Sequence, residues 1–433
     1  MYKEIKTPCG EIRGIVSDDV VDFKGIRYAY CKRWTYPEIV TRWDGVYEAY
    51  GYGNCSYQPR AFYDEAQNPG KAFYYNEFRK GEKYTYDEDC LFLNIRAPLN
   101  ISEKLPVLVY IHGGGFTGGC GNEKHFDGPV WAKKGVIAVT VNYRLGPMGF
   151  ACLPELKEEA GHTGNYGLFD QIAAIKWIKN NISAFGGDEE KITIMGQSAG
   201  AMSVQHLCST DYTDGLFRAA VMSSGVGMGS FMTGTPEKKY DFWKEVMKNT
   251  GSETLEEFRN ISPEILFREW KKVKGSAMSC VPVTDGILIK DKPVVKKIPY
   301  MVGCTSHDMA PAVLYALTKG WAKKNNAYMW LFERMLPGDD KGAWHSSDLW
   351  YWFGTLKNSW RPNTEEDYGI SDKMSTYLCN FVKHLKPDEG ETEESWKQCR
   401  NGKDVMCFGN GISEKGRIKM LLYNTLTNKP VGE

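Results

Sequence analysis

The 433-residue chain has no surplus of either charge: Lys plus Arg number 54, and so do Asp plus Glu. Phosphate backbones are normally met by a basic excess, so nucleic acid is not an expected partner. The same balance argues against holding a membrane by charge alone. No apolar run approaches the ~18 residues of a bilayer-spanning helix, so no membrane partner is expected. The first 14 residues, MYKEIKTPCGEIRG, are too charged for the apolar core of a signal peptide. The 12 cysteines include no Cys-x-x-Cys pair and no cluster with histidine at zinc spacing. They read as reduced, small apolar side chains. These absences lead us to expect a soluble, cytoplasmic protein with no metal site. Internal repeats, low-complexity tracts and long Pro/Gly/Ser linkers are missing too, and nothing bears on oligomeric state.

What is present is ordinary globular composition, 42% hydrophobic and 25% charged. Short β-like runs alternate with turns at 11–16 and 20–28. Residues 57–86 are rich in Tyr and Phe with interspersed Pro and Gly, and read as a surface loop. Continuous apolar runs at 107–111 (VLVYI) and 136–141 (VIAVTV) suit strands buried on both faces. Leu168, Ile172, Ile175, Ile178 and Ile182 recur at helical spacing, stopped by Gly186 and Gly187. Further strands are expected at 192–195, 219–223 and 300–302, with a helix over 199–208. Strands alternating with helices argue for an α/β fold around a mostly parallel sheet. Residues 235–275 read as two or three amphipathic helices leaving the sheet. Six tryptophans fall between 321 and 360. They serve core packing in the main, with a pocket wall as the competing reading.

The chemistry concentrates at Gly196-Gln197-Ser198-Ala199-Gly200, a GxSxG sequence between a strand and a helix. Alone it is a weak signal, but a nucleophile elbow needs this strand–turn–helix setting. The turn lifts the Ser198 hydroxyl clear of the sheet, and the helix points its N–H groups at it. Strand 107–111 runs into His112-Gly113-Gly114-Gly115-Phe116. Such glycines let backbone N–H groups approach a reacting oxygen. Gly114, Gly115 and Ala199 are therefore the candidate oxyanion donors. A P-loop is disfavoured, because no Gly-Lys-Ser/Thr ending follows. His112 is expected to pack beneath the loop.

An acyl-transfer serine needs a histidine, and the chain has seven. The usual order of nucleophile, acid and histidine leaves His206, His307, His345 and His384. His206 should point away along the helix, and His384 sits in a surface helix. His345 lies in a loop with small neighbours. His307 adjoins Asp308, which follows strand 300–302 and is the natural acid.

With these motifs on the page, the chain resembles the type B carboxylesterases, a group that includes para-nitrobenzyl esterases and cholinesterases, within the α/β-hydrolase fold. The matching segments are FKGIRYA at 23–29, EDCLFLN at 88–94, NYGLFDQ at 165–171, FGGD at 185–188, ITIMGQSAG at 192–200, PVTDG at 282–286 and AWHSSDL at 343–349. The resemblance implies an α/β-hydrolase over 1–433 with a helical excursion at about 226–298. It implies a triad of Ser198, Asp308 and His345, with Ser224 near it, either as a supporting hydroxyl or, equally well, as a strand-end hydroxyl satisfying its own backbone. The family's acid is usually Glu, and here it is Asp. Gln197 replaces a Glu often found before the nucleophile. The segment 309–344 is shortened, so the pocket should be more open. Cys55 and Cys90 resemble a pair that is disulfide-bonded in secreted members; here they are expected close but reduced.

The implied activity is ester hydrolysis through an acyl-enzyme, with a small-molecule ester as partner and no cofactor. Aromatic loops at 57–78 and 321–360 suggest an apolar pocket for neutral, aryl or short-acyl esters. Met228, Phe231, Met232 and Trp344 are candidates to line it, and core packing accounts for each equally well. No strongly hydrophobic lid favours long-chain lipids. Amide or thioester hydrolysis remains open. A non-catalytic binding role is disfavoured, because the three side chains and the glycines are all retained.

Overall fold

The computed structural model describes residues 1–228, 234–389, 394–409 and 414–427. Its centre is a sheet whose strands we number β1 (Tyr2–Thr7), β2 (Gly10–Ser17), β3 (Val20–Arg27), β4 (Val46–Glu48), β5 (Phe92–Pro98), β6 (Leu105–Ile111), β7 (Ile137–Val141), β8 (Gly187–Gln197), β9 (Ala219–Ser223), β10 (Tyr300–Thr305), β11 (Tyr328–Phe332) and β12 (Val405–Phe408). The spatial order is β1-β2-β3-β5-β7-β6-β8-β9-β10-β11-β12, with β4 beside β2. The strands before β6 pair antiparallel along this path, and β7 onward runs parallel. This is the α/β-hydrolase architecture expected from the sequence.

Composition explains the difference between the two halves. β9, β10 and β11 are buried at every residue, as parallel strands covered on both faces must be. β1 and β2 are partly exposed and suit an edge. Along β6 the side chains alternate between two cores. Val107, Val109 and Ile111 join one with helix Tyr166–Asn181, while Leu108 and Tyr110 join the other with helix Glu365–His384. Leu168, Ile172, Ile175 and Ile178 face the first core as their spacing predicts, and Gly186, at φ 84°, ends the 3-10 turn Ile182–Phe185 that follows the helix.

β6 has β7 on one side and β8 on the other, both parallel to it. The chain order reverses there, so a crevice opens beyond the carboxyl ends of β6 and β8. The glycine loop and the GxSxG turn leave from those two ends, with Ile111 opposite Gly196.

The sequence reading is revised at 57–86 and lacks strand β11, while the tryptophans largely take the packing role expected of them. The 57–86 region is more than a loop: it folds a helix at Ala72–Phe78 whose Glu77 and Phe78 are buried. The tryptophan-rich stretch contains a sheet strand, β11, and a short helix, Leu349–Trp352. Trp330, Trp344, Trp350 and Trp352 are fully buried, whereas Trp360 is half exposed. Trp344 therefore backs the site rather than lining a pocket. Phe231 and Met232 lie outside the described residues.

Between β9 and β10 the chain forms helices Glu237–Asn249, Leu255–Asn260, Pro263–Lys272 and Ser276–Ser279. All 12 cysteines are unpaired. The neighbouring Cys120 thiol and burial push the Cys55 thiol pKa up, and burial pushes that of Cys90 up. No helix among the described residues is long and apolar enough to cross a membrane.

Candidate active site

Ser198 sits at the strand-to-helix turn with φ 56° and ψ −126°, a strained conformation for a residue with a side chain. The turn is held from both sides. Ser198 N donates to Ser223 O at 2.9 Å, and Met202 N donates to Ser198 O at 3.0 Å. Only glycine fits at the two flanking positions. A Cβ on Gly196 would lie 2.3 Å from the Gly200 backbone, and one on Gly200 would lie 2.1 Å from Ile111 O. The close approach of Gly200 sets helix Ala199–Leu207 directly against the end of β6.

The glycine loop then comes to the same place. Gly114 and Gly115 have φ of 116° and 61°. The Gly114 carbonyl is drawn away by Thr117 N and Gly118 N, at 3.1 and 2.9 Å. The N–H groups of Gly114 and Gly115 meet no acceptor among the described residues. Ala199 is the first residue of its helix, where an N–H has no intrahelical partner. His112 lies beneath the loop as expected. Its Nδ1 is 2.8 Å from Gly113 O, its ring stacks on Tyr143, and burial lowers its pKa to about 4.

His345 Nε2 lies 2.9 Å from Ser198 Oγ, and His345 Nδ1 lies 2.5 Å from Asp308 Oδ1. The segment bearing His345 is tied to the segment bearing Asp308: His307 N donates to Ala343 O, and the His307 ring packs over Gly342. His307 is thus a half-buried brace, not a solvated surface residue. Asp308 is enclosed by donors. Oδ1 accepts from Met309 N at 2.8 Å; Oδ2 accepts from Ser224 Oγ at 2.6 Å and from Thr305 Oγ1 at 3.0 Å. Burial alone would raise the Asp308 pKa. The neighbouring His345 and these donors outweigh it and hold the carboxyl below the usual aspartate value. Burial opposes charge on His345, but Asp308 outweighs it and raises the imidazole pKa.

Asp348, three residues beyond His345, serves a different contact. Its Oδ2 accepts from Ser223 Oγ at 2.8 Å and Trp352 Nε1 at 3.1 Å, and burial raises its pKa to about 6. His206 is buried on its helix, with its pKa lowered to about 4 by burial, and His384 is exposed at a helix end. Neither is brought to Ser198.

Two contacts of His345 have no counterpart in the sequence reading, although that reading names Gln197 as the residue before the nucleophile. Gln197 Nε2 lies 3.2 Å from His345 Nε2, and Tyr74 Oη donates to His345 O at 3.4 Å. Tyr74, Phe73 and Phe78 pack on Trp344, with ring centroids 5.0–5.7 Å away. The aromatic-rich composition of 57–86 hinted at such a cluster, but its partner lay far along the chain.

A serine hydroxyl, an imidazole and an ionised carboxylate in line, with the glycine loop packed beside the serine, are competent for acyl transfer. A family model for carboxylesterases matches residues 2–324 and 312–420. The chain belongs to the carboxylesterase family. This carboxylesterase-family chain is 40% identical over 229 residues to a para-nitrobenzyl esterase of Bacillus subtilis, covering 52% of the chain and 44% of that protein. It is 31% identical over 355 residues to a cholinesterase of Mus musculus, covering 75% and 56%. The chain spans about half the length of these curated relatives. Among solved structures, a PNB esterase superposes with a TM-score of 0.80 at 25% identity, covering 97% of this chain and 99% of that one. A carboxylesterase of Geobacillus stearothermophilus gives 0.78 at 26% identity, covering 96% and 99%.

Proposed function

We propose that this carboxylesterase-family chain hydrolyses carboxylic esters through a serine acyl-enzyme, and that its substrates are neutral aryl or short-acyl esters. The observation that carries the reading is the unbroken contact chain Ser198 Oγ–His345 Nε2, His345 Nδ1–Asp308 Oδ1. The names of the relatives, para-nitrobenzyl esterase and cholinesterase among them, point the same way.

In the first step Ser198 Oγ attacks the ester carbonyl while His345 Nε2 takes its proton. The carbonyl π electrons move onto oxygen, and that oxyanion is received by the N–H groups of Gly114, Gly115 and Ala199. Asp308 holds Nδ1 protonated and stabilises the imidazolium. The tetrahedral centre collapses, the C–O bond to the alcohol breaks, and His345 protonates the leaving oxygen. A water, deprotonated by the same Nε2, then releases the acid and restores Ser198. No step needs a metal or organic cofactor. The apolar preference rests on Phe73 and Tyr74, half-buried beside His345, and on the neutral Gln197.

The test is labelling with a fluorophosphonate, followed by peptide mapping, beside an ester panel with varied acyl chain and alcohol. Label on Ser198, blocked in Ser198→Ala together with loss of turnover, supports the proposal. A folded Ser198→Ala variant that keeps near wild-type turnover would refute it.

A further inference from the structure

The mechanism above leaves one buried polar group at its centre without a part. Gln197 ends β8 and is 2% exposed. Its amide occupies the space between the glycine loop and the histidine: Nε2 is 3.2 Å from His345 Nε2, and a Cβ on Gly113 would come 2.8 Å from its Oε1. Asp308 is ionised and can only accept, so His345 Nδ1 carries the proton and Nε2 presents a lone pair. An amide facing that lone pair must offer an N–H. The Ser198 hydroxyl, 2.9 Å away, offers its proton to the same atom.

We propose that Gln197 is a positioning residue for the general base: its N–H shares the Nε2 lone pair with Ser198 and keeps His345 in the neutral, proton-accepting form to lower pH than a carboxylate in this position would. The inference rests on the esterase reading of Ser198 and His345. It follows from the sign of the contact. A hydrogen bond donated to the neutral imidazole is lost when Nε2 gains a proton, because two N–H groups then face each other. The amide must turn away or turn over before the imidazolium can be held. Gln197 thus opposes Asp308, which favours the charged ring. The other groups around His345 are few. Asp348, three residues on and engaged by Ser223 and Trp352, adds to Asp308 in favouring the charged ring, and the Tyr74 hydroxyl reaches only the main-chain carbonyl. A glutamate in place of Gln197 would reverse the effect, accepting from the imidazolium and stabilising it.

The experiment compares the wild type with Gln197→Glu and with Gln197→Met, which keeps the side-chain length but donates nothing. Two pH profiles are recorded for each: kcat/KM on para-nitrophenyl butyrate, and the rate of inactivation by paraoxon, an uncharged reagent that reports the serine without acyl turnover. The acid limb reports the free-enzyme base. Gln197→Met should move it up by about half a pH unit or more, the loss of one hydrogen bond to the neutral ring. Gln197→Glu should move it up by about one unit or more, as expected for an opposite charge within a few ångströms. Melting curves establish that each variant is folded. Limbs that stay on the wild-type curve in both variants overturn the inference while leaving the esterase reading intact. A shift in Gln197→Glu alone also overturns it, since charge and not the shared N–H would then be responsible. A wild type that neither turns over the ester nor reacts with paraoxon removes the esterase reading itself, and this inference with it.

Discussion

Ser224 Oγ donates to Asp308 Oδ2 at 2.6 Å, on the carboxylate oxygen that His345 leaves free. With Thr305 on the same oxygen and Met309 N on the other, the aspartate is held at both ends. The short aspartate side chain is thereby fixed against the imidazole. Asp308→Asn should preserve the shape and favour the wrong tautomer, with kcat falling by up to ~10⁴-fold. Ser224→Ala removes one of several donors and should cost about tenfold, roughly the worth of one hydrogen bond to a charged group. Asp348→Asn should change kcat only a few-fold, because it touches Ser223 and Trp352 rather than His345. Steady-state kinetics on one ester ranks the three, and a larger loss in Asp348→Asn than in Asp308→Asn would reverse the assignment of the acid.

How much of this was legible in the sequence depends on whether the signal is local. The strands at 107–111 and 192–195 and the GxSxG turn are read from neighbouring residues, and they appear where expected. β11 carries no separate signal, because Tyr328–Phe332, YMWLF, is large and apolar throughout and looks the same as core packing. Helix Ala72–Phe78 was hidden by the Pro and Gly around it, and its burial depends on Arg361, hundreds of residues away. Asp308 followed from its place after a strand, but His345 was separated from His307 only by the resemblance. The Gln197 contact has no sequence signal at all: it depends on which way one side chain turns at the end of β8.

That distant support is a second point of test. Arg361 and Glu77 form a bidentate pair, with Arg361 Nη2 2.7 Å and Nε 3.2 Å from the carboxylate, and their side chains are 0% and 1% exposed. Arg361→Met would leave the Glu77 charge buried without its cation, a loss of roughly 3–5 kcal/mol in unfolding free energy. Adding Glu77→Gln should recover part of it, since the fully buried charge is then removed and the other carboxylate paired with Arg361, Asp339, is partly solvated. Urea denaturation of the single and double variants measures both. A single variant as stable as the wild type would mean that the pair does not hold helix Ala72–Phe78 in place.

Glu123 offers a pH signature. It meets Arg60 at 2.8 Å and Arg79 at 3.8 Å. Burial would raise its pKa, but the two guanidinium groups outweigh it and lower the value from 4.5 to about 2. A depressed folded-state pKa gives stability that is present above the unfolded value and lost as the pH falls through the folded one. Glu123→Gln should therefore be less stable than the wild type by on the order of 3 kcal/mol at neutral pH. The gap should narrow as the pH falls from about 4.5 towards 2. Unfolding free energies across that range supply the measurement, and a gap of constant size at low pH would show that charge on Glu123 is not what stabilises the fold.

Substrate charge is the last and broadest test. A site that selects a quaternary ammonium sets it against an aromatic face with negative charge nearby. Here the residue before Ser198 is the neutral Gln197. Of the three carboxylates in the 57–78 region, Glu65 is paired with Arg79 and Glu77 with Arg361, while Asp64 caps the turn at Ala66 N. Two of the three are thus neutralised by a guanidinium, the exposed Asp64 is screened by solvent, and the chain as a whole carries no net charge. A neutral ester should therefore be hydrolysed with higher kcat/KM than the choline ester of the same acyl group. The ratio should change little with ionic strength, because no strong field steers the cation inward. Butyrylcholine and 3,3-dimethylbutyl butyrate, its uncharged carbon isostere, compared at low and high salt, isolate the charge from the shape. A preference for the cation that fades as salt is added would mean that the Arg79 and Arg361 pairs leave enough negative potential at the site to recruit it, and the neutral-ester reading would then fail.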